Sequence, residues 1–326
     1  KQVIVYLMDD EQEVLIANSE GRFVTETRVR VRLMTSAVAS DKGMMQTGSS
    51  GDGSGKGYEF FEEMDIEGFA REAAEVAKTM LYAEDCPSGV MPVIINNEFG
   101  GVIFHEACGH SLEATSVAKN ASVFSGKKGT KIAADIVTAI DDGTIENAWG
   151  SANYDDEGYP QQRRVLIKNG ILTSYMIDKI NARRMGEEPT GSSRRQNYKF
   201  SPTSRMSNTF IDNGESTLED MISSTKYGLF AKKLGGGSVN PGNGDFNFSV
   251  MEAYMIRDGK IAEPVKGAAL VGNGSDILHK IDMVGNNLSS QRGMCGSASG
   301  SIPADVGQPS IRVQAITVGG KKKGAN

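Results

Sequence analysis

Two-residue turn signals between strand-like runs constrain the fold of this chain more than any other feature. Asn169-Gly170 lies between two such runs, and Asp258-Gly259 lies between two more. Both dipeptides accept the positive φ angles that tight β-hairpin turns require. Because a hairpin joins antiparallel strands, the region from Lys131 onward is predicted to be mainly antiparallel sheet, with few helices.

Strand and helix patterns both occur in the first 90 residues. Residues 28–33 alternate arginine with valine or leucine, which is the period of a strand with one buried face. Residues 60–82 place apolar side chains at helical spacing and predict one or two helices. Between them, the glycine-rich residues 48–57 lack the spacing of a phosphate-binding loop and predict a linker or mobile loop.

Shorter helical patterns interrupt the strand-rich part of the chain. We predict helices at residues 177–185, 217–226 and 274–287, in addition to one that carries the histidines described below. The predicted fold class is therefore α+β, with a predominantly antiparallel sheet or barrel and a few helices. The glycine-rich residues 235–244 have two possible interpretations, a tight loop that lets a peptide backbone approach or an ordinary turn.

Two of the three histidines lie five residues apart in the stretch 100–113. His105 is followed directly by Glu106, and His110 completes the pattern H-E-x-x-x-H. Imidazole is a good ligand for a zinc-class ion, and a neighbouring carboxylate can take a proton from metal-activated water. The zinc-peptidase pattern H-E-x-x-H places both imidazoles on one helix face. A five-residue separation instead places them about 140° apart on a regular helix.

The spacing leaves two explanations open. Either the pair is accidental and each histidine is a core residue, or the helix changes geometry between the two rings. Gly109 accepts conformations that end or distort a helix, and a π-bulge would also realign the rings. A predicted strand at residues 93–96 leads through Gly100-Gly101 into this helix, and such a strand–loop–helix setting suits a functional site.

Two thiols could complete a metal site. Cys108 is about 60° from His105 around a regular helix. Three ligands within six residues would, however, leave little freedom to complete a tetrahedron with an open corner. Cys295 comes from a distant segment, and its glycine neighbours allow the backbone to approach a metal closely. We favour Cys295 as the third ligand and interpret His279, the histidine outside the motif, as structural.

Composition argues against several classes of protein. The net charge of −6 is opposite to the basic footprint of a nucleic-acid-binding surface, so no direct nucleic-acid binding is expected. Apolar runs fall well short of the ~20 residues of a membrane span, so no membrane association is expected. Three scattered cysteines do not make a disulfide framework and favour a reduced, cytoplasmic location.

Two groups of charged residues are interpreted as ordinary solvated surface. The arginine pairs at residues 163–164, 183–184 and 194–195 are predicted to lie on solvated faces. Asp155-Asp156-Glu157 lacks the spacing of a calcium loop and is predicted to form a solvated turn rather than a second cation site.

The sequence resembles the TldD/PmbA family of peptidases, also called modulators of DNA gyrase, and in particular its catalytically active TldD-like branch. The resemblance runs in order through nearly the whole chain. Besides the histidine motif, the segments that carry it are residues 155–158, 162–170, 204–209, 236–241, 263–267 and 293–296.

This resemblance implies a function and roles for particular residues. It implies a peptidase in which His105, His110 and Cys295 hold Zn²⁺ and Glu106 is the catalytic base. The substrates would be unstructured peptides or short protein segments. It also implies an oligomer, either a homodimer or a hetero-oligomer with a TldE/PmbA-like paralogue.

The resemblance also implies a domain organisation. Residues 1–90 would be the C-terminal part of the family's N-terminal α/β domain with a helical connection, and residues 91–326 would be the catalytic metal-binding domain. The opening α/β segment of the family has no counterpart in this chain.

Two other functions remain open. The first is a non-catalytic regulatory or binding protein of the gyrase-modulator type, although the family's other branch lacks the histidine motif that is intact here. The second is a metal-dependent hydrolase that acts on something other than peptides.

Overall fold

The computed structural model describes residues 1–240 and 243–320. Within residues 1–54, three strands form an antiparallel sheet: β1 (Gln2–Ala17), β2 (Phe23–Asp41) and β3 (Met44–Ser54), with β2 in the centre. Val31 and Leu33 alternate along β2 and are buried on one face of this sheet, as the period-2 pattern predicts.

Two helices cover this sheet, as predicted from residues 60–82. They are α1 (Phe60–Glu63) and α2 (Ile66–Tyr82). The Asp65 carboxylate accepts a hydrogen bond from the backbone N–H of Gly68 and so caps the start of α2. Ala73, Val76 and Ala77 are buried on the face of α2 that turns inward.

The prediction of a linker at residues 48–57 is wrong, because residues 48–54 belong to strand β3. Their glycines serve close packing rather than flexibility. A Cβ atom at Gly48 would lie 2.2 Å from the carbonyl oxygen of Ala73. The missing side chain therefore lets α2 lie directly against the sheet.

The rest of the chain is rich in strands, with short helices between them. In chain order the strands are β4 (Glu84–Asp85), β5 (Gly89–Ile95), β6 (Ala139–Asp142), β7 (Arg163–Lys168), β8 (Ile171–Leu172), β9 (Ser193–Arg194), β10 (Thr203–Ser204), β11 (Asn208–Ile211), β12 (Tyr227–Val239), β13 (Asp245–Arg257), β14 (Lys260–Lys266), β15 (Ala269–Asn273), β16 (Ile281–Val284), β17 (Ser289–Ser297), β18 (Gly300–Gln308) and β19 (Ile311–Gly319). The α-helices are α3 (Val102–Ala107), α4 (Ala114–Val117), α5 (Lys179–Met185), α6 (Leu218–Ser223) and α7 (Gly274–Ile277), and 3-10 turns cover Glu98–Gly101, Gly109–Leu112 and Leu278–Lys280.

Five strands of the described chain close into a barrel. Hydrogen bonds run in the order β12, β5, β19, β15, β13 and back to β12. β12 and β5 are parallel, and the other neighbours in this ring are antiparallel. Val93, Leu229, Phe248, Leu270 and Val313 come from the five strands and are buried together in the largest hydrophobic core.

Another sheet lies alongside the barrel and shares its core. Within the described residues it has six strands in the order β17, β18, β11, β6, β7, β8, of which β11 and β18 are parallel. Leu166 of β7 and Val306 of β18 belong to the same large core as the barrel strands. The predicted fold class, α+β with mainly antiparallel strands and a barrel, is confirmed.

Both predicted hairpin turns are present. Asn169 and Gly170 have φ angles of 48° and 78° between β7 and β8, and Asp258 and Gly259 have φ angles of 47° and 73° between β13 and β14. The first hairpin is shorter than its sequence pattern suggests, because β8 has only two residues.

Three of the predicted helices have different lengths in the structure. α5 and α6 lie inside the predicted ranges, and a Thr217–Asp220 capping box begins α6. The prediction for residues 274–287 is wrong beyond Lys280, where β16 follows a 3-10 turn. Ile281 and Val284 of β16 are buried and pair with β19.

The interpretation of the acidic turn and one arginine pair as solvated surface is also wrong. Asp155 and Asp156 are almost fully buried. Asp155 accepts hydrogen bonds from the backbone N–H groups of Glu157, Tyr159 and Ser193. Arg194 is buried as well and donates to the Met206 carbonyl oxygen. These charges hold the chain together locally, since each has polar partners that replace water.

The glycine-rich residues 235–239 form the end of barrel strand β12 rather than a free loop. The pairing of β12 with β13 is irregular between Ala231 and Gly237, and such irregularities bend a strand. Residues 241 and 242, which also belong to the predicted glycine-rich loop, lie outside the described residues.

Candidate metal centre

The segment with both histidines changes from α to 3-10 geometry between them. α3 carries His105 and ends at Ala107, because Cys108 has φ −130° and ψ −47° and leaves the helical conformation. The 3-10 turn Gly109–Leu112 then carries His110. The predicted break between the rings is confirmed, and it is a change of helix type rather than a π-bulge.

Gly109 packs closely against Met206 at this break. A Cβ atom at this position would lie 2.3 Å from the Sδ atom of Met206. Met206 lies between β10 and β11, within one of the segments that carry the sequence resemblance. The missing side chain therefore lets the 3-10 turn approach that segment directly.

The structure brings His105, His110 and Cys295 together. The Nε2 atoms of His105 and His110 lie 3.2 and 3.3 Å from the Cys295 sulfur. Cys295 is buried on β17, whereas its neighbour Met294 is half exposed on the opposite side of the strand. Among the described residues, this is the group of three or more histidine, cysteine or acidic side chains whose ligand atoms converge, all within 4.8 Å of one another.

The electrostatic surroundings distinguish Cys295 from Cys108. Burial alone would raise the pKa of the Cys295 thiol, but the charges and hydrogen bonds of His105 and His110 lower it to about 4. Burial likewise acts to lower the pKa of His110, but the charge of Glu113 and the hydrogen bond to Cys295 raise it well above its usual value. These surroundings favour the thiolate form of Cys295, which is the form that binds metals.

Cys108 has no such surroundings and does not belong to the converging group. It is fully buried in the hydrophobic core, and burial raises the pKa of its thiol. A protonated thiol is a poor metal ligand. His279, the third histidine, is exposed on the 3-10 turn after α7 and also lies outside the group.

Glu106 lies at the edge of the same centre. Its Oε2 atom is 3.8 Å from the Nε2 atom of His110, which is too far for a hydrogen bond. The Glu106 side chain is 23% exposed, whereas His105 beside it in the chain is almost fully buried. A carboxylate in this position can exchange protons with a water molecule or substrate that approaches the centre.

The structure adds Glu113, which the sequence reasoning did not assign. Its Oε1 atom lies 3.1 Å from the Nδ1 atom of His110. A carboxylate that accepts a hydrogen bond from Nδ1–H keeps the proton on Nδ1 and leaves the lone pair of Nε2 free to bind a metal. The available signal was the three-residue spacing between His110 and Glu113, which brings two side chains together on a helical turn.

The chemistry and spacing of these groups fit a metal ion. Two imidazoles and one thiolate are ligands that tetrahedral zinc accepts. With bonds of about 2.0 Å to nitrogen and 2.3 Å to sulfur, such ligands lie roughly 3.5 Å apart. The observed separations of 3.2 and 3.3 Å are close to this value. Three converging ligands leave a fourth position for water or substrate.

Two domain models of one protein family match most of the chain. The PmbA/TldA metallopeptidase central domain matches residues 1–81, and the PmbA/TldA metallopeptidase C-terminal domain matches residues 88–320. The histidine motif and Cys295 both fall within the C-terminal match.

Curated relatives agree with the family match. The metalloprotease TldD homolog of Buchnera aphidicola subsp. Acyrthosiphon pisum is 40% identical over 328 residues, covering 98% of this chain and 68% of that protein. The metalloprotease TldD homolog of Haemophilus influenzae is 44% identical over 316 residues, covering 95% of this chain and 66% of that protein. The chain therefore spans about two thirds of the length of these relatives.

Solved structures share the fold. A protein from Thermotoga maritima described as a modulator of a DNA gyrase has a TM-score of 0.81 and 25% identity, covering 97% of this chain and 68% of that one. TldE from Thermococcus kodakarensis has a TM-score of 0.80 and the same coverages, at 22% identity. At that identity the likeness to TldE shows the fold alone.

The fold, the side-chain cluster and the relatives place this chain in the class of the metallopeptidases. Within this class, the chain belongs to the TldD/PmbA family, as its sequence segments predicted. A metal ion follows from the metalloprotease relatives and from the His–His–Cys cluster. In the part of the chain that is described, no helix has the length and apolar character of a membrane span.

Proposed function

We propose that this protein is a zinc-dependent peptidase in which His105, His110 and Cys295 hold the metal ion and Glu106 is the general base. The main support is the convergence of both Nε2 atoms on the Cys295 sulfur, at 3.2 and 3.3 Å. The metalloprotease relatives support the class of reaction. Zinc suits two imidazoles, one thiolate and an open fourth position.

In this proposal Glu106 makes the proton transfers of hydrolysis. A bound zinc ion supplies Lewis acidity, which lowers the pKa of a water molecule and polarises a carbonyl group. One carboxylate oxygen of Glu106 takes a proton from the attacking water and passes it to the nitrogen of the departing amine. Glu106 suits this role because it adjoins the cluster, is partly exposed and does not belong to the ligand group.

A cavity lined partly by residues of the segments that carry the cluster supports a peptide as substrate. Its volume is about 190 Å³, and its lining includes Gly100, in the turn before α3, and Arg292, on the strand of Cys295. Gly235 and Gly236 form another part of its wall, and a Cβ atom at Gly236 would meet no described atom within 4 Å. We propose that this glycine-rich end of β12 admits the backbone of an unstructured peptide or a short protein segment.

We also propose an oligomer and a domain division. The two-subunit assembly that the family resemblance implies, together with the fold shared with TldE, supports a homodimer or a hetero-oligomer with a TldE/PmbA-like paralogue. We propose a cytoplasmic location from the three scattered cysteines. Sedimentation of the chain alone and with such a paralogue distinguishes the two assemblies. Residues 1–90 would form one domain and residues 91–326 the catalytic domain.

Metal content and hydrolysis, measured on the same sample, test the proposed activity. We expect about one zinc ion per chain by mass spectrometry and hydrolysis of an unstructured peptide. A chelator should remove the activity, and added zinc should restore it. His105→Ala and His110→Ala should lose both metal and activity, whereas the exposed His279→Ala should keep both.

Each alternative gives a different result in this experiment. Bound metal with no hydrolysis of peptides or other amides would favour a non-catalytic regulatory protein. Hydrolysis of other substrates but not of peptides would favour a different metal-dependent hydrolase. Full zinc occupancy in either histidine variant would exclude that histidine as a ligand.

A further inference from the structure

Arg205 is a fully buried cation behind the metal centre. It lies between β10 and β11, and none of its side chain is exposed. A buried guanidinium is costly unless its N–H groups find partners. Its Nη2 atom donates to the carbonyl oxygen of Cys295 at 2.6 Å. Its Nη1 atom donates to the Ser299 hydroxyl and to the Gly300 carbonyl at 2.8 and 3.3 Å.

These hydrogen bonds all go to the hairpin that carries the thiolate. Cys295 lies on β17, Gly300 begins β18, and Ser299 lies in the turn between the two strands. The planar guanidinium of Arg205 therefore binds the chain on both sides of this turn. A lysine at the same position could not reproduce that geometry, because its three N–H groups radiate from a single atom.

Arg205 also contacts the other side of the centre, through Glu113. Its Nε atom lies 3.8 Å from the Glu113 Oε1 atom, as an ion pair rather than a hydrogen bond. The same Oε1 atom faces His110 Nδ1 at 3.1 Å. Glu113 is itself 6% exposed, and Arg205 gives its buried carboxylate a second favourable partner beside the His110 ring.

The two histidines differ in this support. His110 has the Glu113 carboxylate behind it, whereas the Nδ1 atom of His105 is buried without a hydrogen-bond partner among the described residues. An imidazole whose Nδ1 atom is hydrogen-bonded keeps one tautomer and one orientation. The contacts that hold the cluster therefore involve His110, through Glu113, and the strand of Cys295. Both sets of contacts include Arg205.

We propose that Arg205 is a positioning residue that holds His110, through Glu113, and Cys295, through its carbonyl oxygen, in the arrangement that binds the metal. This inference rests on the proposed function, since it takes His110 and Cys295 as ligands. Arg205 does not belong to the converging group of ligand atoms. It acts by connecting two segments of the chain that are distant in sequence, and its loss removes the ion pair with Glu113 and the hydrogen bond to the Cys295 carbonyl oxygen.

Zinc affinity and the absorption spectrum of the cobalt-substituted protein test this role. Arg205→Lys and Glu113→Gln should each bind zinc about 10–100-fold more weakly in a competition titration with a chelator. Their cobalt forms should show shifted d–d bands, because the ligands are no longer held in the same geometry. A merely structural role would lower the unfolding temperature of the metal-free protein without changing these bands.

Arg28→Lys is the matched control. The Arg28 guanidinium is also largely buried, and its partners are Glu26, Asp156 and the Tyr154 carbonyl oxygen rather than Glu113 or Cys295. This variant should lose stability but keep wild-type zinc affinity and an unchanged cobalt spectrum. The double variant Arg205→Lys/Glu113→Gln should lose less affinity than the product of the two single losses, because both changes break one connection.

The outcomes separate this inference from the proposed function. Wild-type zinc affinity and cobalt bands in both Arg205→Lys and Glu113→Gln would overturn the positioning role and leave the zinc site intact. The same would follow if Arg28→Lys weakened zinc binding equally. A wild-type protein whose cobalt form lacks a thiolate charge-transfer band would overturn the ligand set first, and the positioning role with it.

Discussion

The two sides of the candidate metal centre are built in opposite ways. On the helix side, His105, Glu106 and His110 lie within six residues, and an irregular chain is needed to make the two rings converge. On the strand side, Cys295 is one thiol on a regular strand, and distant groups hold that strand in place. Local spacing therefore defines the first side, and tertiary packing defines the second.

The two sides should therefore be sensitive to different kinds of substitution. The helix side depends on chain geometry between Ala107 and Gly109, so it should respond to insertions, deletions and bulk at that point. The strand side depends on the identity of one sulfur atom and on its neighbours. Substitutions that affect only one side test this distinction.

The largest effect is expected on the strand side. Cys295→Ser should lose most of the zinc and the peptidase activity, because a hydroxyl is a far weaker zinc ligand than a thiolate. Cys108→Ala should keep both, since its thiol lies in the hydrophobic core outside the cluster. Metal content and peptide hydrolysis of the two variants provide the comparison. The reverse pattern would move the third ligand to the helix side.

The next largest effect concerns Glu106 alone. Glu106→Gln should keep the zinc ion, because the carboxylate does not belong to the ligand group. It should hydrolyse peptides about 10²–10⁴-fold more slowly, which is the usual contribution of a general base. Glu106→Asp, which retains the acid on a shorter side chain, should recover part of the rate. Turnover of Glu106→Gln at the wild-type rate would assign the base to another group.

A smaller effect is expected from regularising the helix side. Deletion of Gly109 creates the spacing H-E-x-x-H and brings His110 into register with a continuous helix. Because Cys295 is positioned for the interrupted geometry, the deletion should lower zinc affinity rather than raise it. Competition titration with a chelator measures this change. Tighter zinc binding by the deletion variant would show that the break is not needed for the site.

Features set by neighbouring residues could be predicted from the sequence. Asn169-Gly170 and Asp258-Gly259 form the predicted turns because their φ angles depend on local chemistry. The break after His105 followed from the mismatch between a five-residue spacing and a regular helix. The folded chain brings Cys295 together with both histidines, the three residues that the family resemblance implied as ligands.

Features set by distant residues could not be predicted in the same way. Residues 48–54 form a strand because α2 packs on their glycines, and no local pattern reveals that neighbour. Asp156 is buried with Arg28, a residue distant in sequence, as its ion-pair partner. Arg205 was part of a segment that carried the resemblance, but its contact with Cys295 requires the folded chain.

The smallest effect on zinc binding is expected from a substitution at Asp155. Its carboxylate accepts three backbone hydrogen bonds, including one from Ser193, and the neighbouring Ser192 carbonyl accepts the backbone N–H of Arg205. Asp155→Asn replaces one acceptor oxygen with an amide donor and leaves a buried N–H group without its partner. It should lower the free energy of unfolding by about 1–3 kcal/mol, measured with denaturant. Zinc affinity should stay unchanged, because Asp155 contacts the backbone near Arg205 rather than its guanidinium. A loss of affinity as large as that expected for Arg205→Lys would show that the strand side depends on the surrounding fold as a whole, not on one arginine.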